Sequence, residues 1–326
     1  MENGVPRVLR FDGEAVGPAT DVLRCGGLVA VPTETVYGLA ADATHGEGVA
    51  GIYAAKGRPS FNPLIAHVSD IAMAERYVTF DPLSRKLAET FWPGPLTLVL
   101  PLREDSGIHP LVTAGLSTLA VRMPRGDVGK IIRALGHPIA APSANTSGKI
   151  SATTAEAVRD DLGDRVDLIL DGGPCSVGVE STIVKIDGDK AYLLRPGGIA
   201  AEEIEAVIGR KLIRLDQRAA IEAPGMLASH YAPDAAVRLN TTEVKLGEAL
   251  LAFGPVRAKG VENAVAVLNL SERGDLREAA ANLFSYMKQL DASGARTIAV
   301  EPIPETGLGE AINDRLRRAA APREGA

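Results

Sequence analysis

Short runs of apolar, often β-branched residues return along this chain with helical patterns between many of them, and that alternation restricts the fold more than any other feature. Runs at 29–31, 64–68, 96–100, 119–123, 139–141, 168–170, 182–186 and 192–194 read as buried strands. Segments 82–91, 127–135, 154–162 and 201–208 read as helices, the middle two with Asp127 and Thr154 at their N-caps. Trp92-Pro-Gly-Pro is a rigid turn that a helix cannot cross, and 106–116 reads as a loop. Strands alternating with helices imply an α/β sheet. The hairpin spacing around Asp187-Gly188 implies that part of it is antiparallel. The expected first unit, residues 1–208, is a twisted, mixed, open α/β sheet.

The periodicity lapses from 211 to 234, where Ala223-Pro-Gly-Met-Leu-Ala-Ser-His-Tyr-Ala-Pro stiffens the chain, so 209–234 is expected to be an ordered connector. A second unit, 235–326, follows. Runs at 237–239, 249–253, 264–268 and 297–300 read as short strands, and Leu276, Ala280, Leu283, Met287 and Leu290 trace one helical stripe. A closing helix over 309–320 carries Arg315, Arg317 and Arg318. This pattern predicts a small Rossmann-like α/β domain, yet it holds no Gly-x-Gly-x-x-Gly, and fold alone would not make it a nucleotide site.

With 326 residues, 46% of them hydrophobic and 23% charged, the chain can bury two cores. A net charge of -6 argues against a surface given over to nucleic acid, so any polyanion must be held locally. Cys25 and Cys175 lie far apart without a Cys-x-x-Cys pair, which suits reduced thiols in the cytoplasm rather than a zinc ribbon or a disulfide framework. No apolar run approaches the roughly 20 residues needed to span a bilayer, so no membrane association is expected.

The stretch 29–68 is where polar groups gather. Pro32 stops the first buried strand, and Thr33, Glu34, Thr35 and Tyr37 then supply three hydroxyls and a carboxylate, with Gly38 free to turn or to pack closely. Val49, Ile52, Tyr53 and Lys56 recur at helical spacing, which predicts a helix that delivers Lys56 and Arg58; Gly57 and Pro59 bracket Arg58, Asn62 adds an amide, and the strand at 64–68 brings in His67. Pro142-Ser-Ala-Asn-Thr-Ser-Gly-Lys-Ile-Ser fails the P-loop pattern at Ser143 and Ile150. Ser143, Asn145, Ser151 and the helix opening after Thr153 could still donate to phosphate or ribose oxygens. Glu180 and Ser181 precede a buried strand without forming a nucleophile elbow. Arg122 and Arg195 stand at strand ends, where open α/β sheets bind ligands. The five histidines show no metal-ligand spacing. These groups suit an anionic small molecule with polar groups of its own.

Pro32-Thr-Glu-Thr-Val-Tyr-Gly-Leu, Lys56-x-Arg58, Ser143-x-Asn145 and Arg195-Pro-Gly resemble the motifs of the YrdC-type L-threonylcarbamoyladenylate synthases over about residues 16–208. His230-Tyr-Ala-Pro and Gly307-Leu-Gly-Glu-Ala-Ile-Asn-Asp-Arg-Leu resemble the longer, two-domain branch of that family. The resemblance implies a YrdC-like catalytic domain and a nucleotidyltransferase that converts L-threonine, bicarbonate or carbon dioxide, and ATP into threonylcarbamoyl-AMP and pyrophosphate. The product would feed threonylcarbamoyladenosine formation at position 37 of tRNA through downstream threonylcarbamoyl-transferase proteins, with tRNA contact at most weak. It further implies that Arg58, Asn62, Ser143, Ser151 and Arg195 hold ATP, with Ser117 and Asn145 as helpers. Thr35, His67, Arg122, Ala141 and Ser181 would hold threonine. Thr33 and Lys56 complete the shelf in roles not divided between them, Lys56 and Arg58 being the expected catalytic cations, and Mg2+ would arrive on the ATP phosphates. Tyr231 on the connector is expected either to fold over the ATP site or to serve as an aromatic plug that docks the second unit. Two other readings stay open: carbamoyl transfer in hydrogenase maturation, whose chains add zinc-finger cysteines absent here, and an RNA-binding or ribosome-assembly module without turnover.

Overall fold

The computed structural model describes residues 7–214 and 230–322. Eleven strands form its first sheet: β1 (Arg7–Arg10), β2 (Val29–Val31), β3 (Gly38–Asp42), β4 (Ile65–His67), β5 (Leu96–Pro101), β6 (Thr118–Arg122), β7 (Ile139–Ala140), β8 (Leu168–Asp171), β9 (Thr182–Asp187), β10 (Lys190–Arg195) and β11 (Ile213–Arg214). Their order across the sheet is β1-β8-β2-β3-β7-β4-β6-β5-β9-β10-β11. Pairings of both senses occur, for example β4 with β6 parallel and the hairpin β9–β10 antiparallel. The mixed sheet expected from the Asp187-Gly188 spacing is thus present.

Eight helices accompany that sheet among the described residues: α1 (Val16–Arg24), α2 (Gly46–Lys56), α3 (Ile71–Glu75), α4 (Pro82–Phe91), α5 (Pro110–Thr113), α6 (Val128–Leu135), α7 (Ala155–Leu162) and α8 (Ala201–Ile208). Local chemistry sets their ends. Asp81 accepts from the amides of Leu83 at 2.9 Å and Ser84 at 3.0 Å, and Pro82 occupies the first turn of α4. Helix α2 stops at Gly57, whose φ of 61° is the left-handed cap that glycine tolerates best. Thr154 caps α7 as expected, but Asp127 makes no cap bond and pairs with Lys130 instead. The expected loop over 106–116 contains the short helix α5, capped by His109. Trp92, the only tryptophan of the chain, is buried in the first core, donates from Nε1 to the Leu96 carbonyl at 2.8 Å and meets Phe80 edge-on.

The second sheet is parallel throughout: β12 (Ala236–Arg238), β13 (Ala249–Ala252), β14 (Ala266–Asn269) and β15 (Thr297–Val300), in the order β12-β15-β13-β14. Helix α9 (Leu276–Asp291) buries Ala280, Leu283, Met287 and Leu290 of its predicted stripe, and α10 (Leu308–Ala320) packs beside it. Of the expected connector, residues 215–229 lie outside the described residues. Among the described residues no helix is long and apolar enough to cross a membrane.

The two sheets are not independent bodies strung on a chain. Val36, Ile150 and Val179 of the first unit share an apolar cluster with Tyr231, Phe284, Leu283 and Met287. Gly178 lies against α9 so closely that a Cβ there would sit 2.4 Å from both the Ala280 carbonyl oxygen and the Ala281 Cα. Arg214 pairs with Glu310 at 2.6 Å, and Lys288 donates to the Ala157 carbonyl at 3.3 Å.

Candidate active site

One pocket of the first unit collects most of the chemistry-bearing residues. Its wall includes Thr33, Thr35, Arg58, His67, Arg122, Ala141, Ser143, Glu180, Ser181, Arg195, His230 and Tyr231, around an empty volume of about 540 Å³ that includes its open mouth. Each side chain comes from the end of an element. Thr33 and Thr35 lie in the turn after β2, Arg58 just beyond α2, Ser143 beyond β7, Ser181 just before β9, and Arg195 closes β10. His67 and Arg122 end β4 and β6 as register partners, which sets them side by side. Gly38 contributes by lacking a side chain: a Cβ would stand 3.2 Å from that of Ala141.

The cations are held at fixed points. Arg122 donates from Nη1 to Thr35 Oγ1 at 2.8 Å and from Nε to the Gly94 carbonyl at 3.2 Å, and its Nη2 lies 2.7 Å from Glu34. Arg58 donates to the carbonyls of Asn62 at 3.1 Å and Pro63 at 2.8 Å, and burial brings its guanidinium down to about 10. Arg195 donates to the carbonyl of Ser181 at 2.9 Å and to its hydroxyl at 3.1 Å, while Thr97 shares a hydrogen bond with that hydroxyl at 2.7 Å. Thr33 and Thr35 are linked Oγ1 to Oγ1 at 2.9 Å. Burial, helped by the Arg122 charge, brings His67 down to about 3, so its imidazole is neutral at pH 7. A pocket of three guanidiniums and two neutral imidazoles, rimmed by hydroxyls, can hold a polyanion beside a smaller polar molecule.

Glu180 is the acid on this wall. One of its oxygens accepts from Ser151 Oγ at 2.6 Å and the other from Arg315 Nε at 2.8 Å. Burial would raise this carboxyl, but Arg315, Arg195 and Ser151 together hold it down at about 2. Arg315 also lies over the Tyr231 ring, 5.2 Å from its centroid, and that ring stacks on Phe284 at 5.4 Å. Tyr231 itself has a φ of 63°, and the amide of Ala232 donates to the Gly148 carbonyl at 2.8 Å, which ties 230–232 to the 143–150 turn.

The family model Sua5_yciO_yrdC, described as "Telomere recombination", matches residues 21–197, and the model described as "Threonylcarbamoyl-AMP synthase, C-terminal domain" matches 199–321. The chain belongs to the Sua5–YciO–YrdC family. A Bacillus subtilis member named threonylcarbamoyl-AMP synthase is 43% identical, with 94% of this chain and 93% of the relative covered. A Pyrococcus abyssi member of the same name is 41% identical, with 93% of each covered. The crystal structure of P. abyssi Sua5 complexed with L-threonine superposes with a TM-score of 0.86 at 37% identity, covering 97% of both chains. The fold expected from the sequence, a YrdC-like sheet followed by a small parallel α/β unit, is that of these Sua5 relatives.

Within this family member, the residues named from the sequence divide by position. Thr33, Thr35, Arg58, His67, Arg122, Ala141, Ser143, Ser181, Arg195 and Tyr231 meet at the pocket. Lys56 does not line it. Its ammonium donates to the Ser143 carbonyl at 2.6 Å and to the Asn145 carbonyl, and burial followed by the Arg58 charge lowers its pKa well below the ordinary lysine value. Asn145 lies under the same turn, donating to the carbonyls of Thr146 at 2.7 Å and Lys149 at 3.0 Å. Asn62 is buried with its Oδ1 unpartnered among the described residues, and Ser151 reaches the wall through Glu180. Ser117 is exposed immediately before β6, five residues before Arg122, and is not among the residues lining the pocket. Tyr37, expected on the shelf, turns away and donates to the Gly173 carbonyl at 2.9 Å. Sequence alone gives no role to Glu180, His230 or Arg315: His230 stands out only as part of the His-Tyr-Ala-Pro motif, and a carboxylate beside an expected polyanion runs against simple charge matching.

Proposed function

We propose that this chain forms threonylcarbamoyl-AMP and pyrophosphate from L-threonine, bicarbonate or carbon dioxide, and ATP. The observation that carries the proposal is the convergence of Arg58, Arg122 and Arg195 on one pocket, in a chain that matches named threonylcarbamoyl-AMP synthases along nearly its whole length. The reaction is adenylyl transfer, which makes the chain a nucleotidyltransferase. The threonine amine adds to carbon dioxide and loses a proton to give a carbamate. A carbamate oxygen then attacks the α-phosphorus of ATP, and the bond to the bridging oxygen breaks to release pyrophosphate. Neither step needs a protein nucleophile. Both need positioning, charge neutralisation and exclusion of water.

In this reading Arg58 and Arg195 face the phosphates, with Asn62, Ser117, Ser143, Asn145 and Ser151 completing the nucleotide side. Arg122, oriented by Glu34 and Thr35, takes the threonine carboxylate, and His67, Ala141, Thr35 and Ser181 bound the rest of that amino acid. A hydroxyl from Ser181 or Thr33 facing the substrate hydroxyl rejects valine, which would leave it unpaired, more sharply than a methyl contact rejects serine. Lys56 acts by fixing the carbonyls of the 143–147 turn. Tyr231 fills both of the roles weighed for it, covering the pocket while docking the second unit.

Mg2+ would be held by phosphate oxygens and water, because the acid on the pocket wall, Glu180, is committed to Arg315 and Ser151. Among the described residues no group of three or more His, Cys, Asp and Glu side chains gathers as a protein-built cage would. The ion would neutralise charge on the triphosphate. Residues 1–208 carry the chemistry, His230 and Tyr231 near the end of the 209–234 connector line the pocket, and the unit over 235–326 backs them; the product passes to tRNA threonylcarbamoyl-transferase proteins in the cytoplasm.

Pyrophosphate release measured with ATP, threonine and bicarbonate, each omitted in turn, tests the proposal. Release that requires all three supports it. Release that persists without threonine, or no release in the complete mixture, overturns it.

A further inference from the structure

A carboxylate on the wall of a site that takes a triphosphate needs a reason, and Glu180 is the one acid among the described residues lining this pocket. Arg195 of the first unit supplies part of its countercharge, but the cation hydrogen-bonded to it does not come from that unit. Arg315 arrives from α10 of the second, wholly buried, with Nε on Glu180 Oε2 at 2.8 Å and Nη1 on Asp314 at 2.7 Å. Its Nη2 has no hydrogen-bond partner among the described residues. The same guanidinium lies over the Tyr231 ring, which is also stacked on Phe284 of α9. Both residues that the second unit holds through Arg315, Glu180 and Tyr231, line the pocket. The backbone that carries Glu180 is pressed on α9 at Gly178.

We propose that Arg315 is a positioning residue of the nucleotide site: by neutralising Glu180 and holding Tyr231 over the pocket, it couples docking of the second unit to binding of the triphosphate. The inference rests on the synthase reading above and gives the second unit a task in it. With Arg315 in place, the wall presents Arg58, Arg122 and Arg195 to the ligand and an acid already compensated. With the second unit displaced, Glu180 loses its hydrogen-bonded cation and keeps only the more general influence of Arg195, so it faces the incoming phosphates as an under-compensated anion, and buried charges interact strongly because little water screens them. A bound triphosphate therefore favours the docked arrangement, and docking favours the triphosphate, by the same factor.

The test is a charge cycle in the full chain, read by equilibrium binding of Mg2+ and a non-hydrolysable ATP analogue and by the KM for ATP against that for threonine. Arg315→Gln should weaken nucleotide binding about tenfold or more, with a smaller change for threonine. Adding Glu180→Gln to it removes the stranded charge while keeping an acceptor for Ser151, and should recover at least half of the loss on a logarithmic scale. A purely structural Arg315 predicts instead that the double variant is no better than the single one. Unchanged nucleotide affinity in Arg315→Gln, or no recovery in the double variant, overturns the proposal. Should Arg315→Gln fail to fold, Arg315→Lys and the double variant decide, since both are charge-balanced and both should bind the analogue within about tenfold of wild type; a larger loss in either overturns it. Wild-type chain that binds the analogue yet releases no pyrophosphate sinks the synthase reading and leaves the coupling standing. Wild-type chain that binds no ATP overturns both.

Discussion

Two imidazoles at the pocket, His67 and His230, are both held down at about 3, in each case chiefly by burial. The unfolded chain takes up protons on these residues as pH falls below the ordinary value of 6.5, whereas the folded chain refuses them until about 3. Their contribution to stability is therefore complete above 6.5 and is lost as pH falls through that window, at a slope of up to about 2.7 kcal/mol per pH unit for two protons. Glu180, held at about 2, adds to the loss at its lower end. Thermal melts at pH 7 and pH 5 should show a clearly lower midpoint at pH 5; coincident midpoints would contradict the burial of these rings. Arg58→Ala should cut threonine-dependent pyrophosphate release by about 100-fold or more, as expected for one lost electrostatic contact to a transition state. Retained release would remove Arg58 from its role. At this scale the sequence was legible where charge and position agreed: Arg58, Arg122 and Arg195 all follow or end apolar segments, and all three meet. It was not legible where a charge is compensated from far away, because nothing near Glu180 announces Arg315, 135 residues later.

Turns, rather than strands, carry the site at the scale of elements, and each is fixed by side chains reaching back to it. The 143–150 turn is tied by the Lys56 ammonium, the Asn145 amide and the Ser147 amide, which donates to the Lys56 carbonyl at 2.8 Å. Lys56→Met leaves two buried carbonyls without that donor and should destabilise the fold by about 1–3 kcal/mol. A melting curve reads that loss, and an unshifted midpoint would show that the turn holds without the lysine. The turn before β9 is fixed from outside. At Gly178, φ is 76° and α9 fills the space where a side chain would stand, so Gly178→Ala combines backbone strain with overpacking and should cost about 2–4 kcal/mol. Denaturant titration checks the figure; a change below about 0.5 kcal/mol would mean the contact is loose. Most strands and long helices could be read from β-branched runs and helical stripes. Strand β3 escaped notice because Gly-Leu-Ala-Ala-Asp is poor in β-branched residues and is placed by its neighbours β2 and β7 rather than by propensity.

Taken whole, the molecule joins two sheets through an apolar cluster to which each contributes. A chain ending at residue 214 would bare Val36, Ile150 and Val179, and should self-associate more than the full chain does, which light scattering at matched concentration would reveal. A truncated chain that stays monodisperse would argue that those contacts are incidental. The division into two α/β units was legible because the periodicity lapses between them. Their intimate contact was not, since it depends on a glycine, an arginine and a tyrosine that each look ordinary in isolation. A practical property follows from where the single indole lies. Trp92 is enclosed in the core of the first unit, so its emission reports on that unit and is silent about β12 to β15. Fluorescence and circular dichroism followed through the same denaturation can then separate one cooperative transition from two without any introduced label.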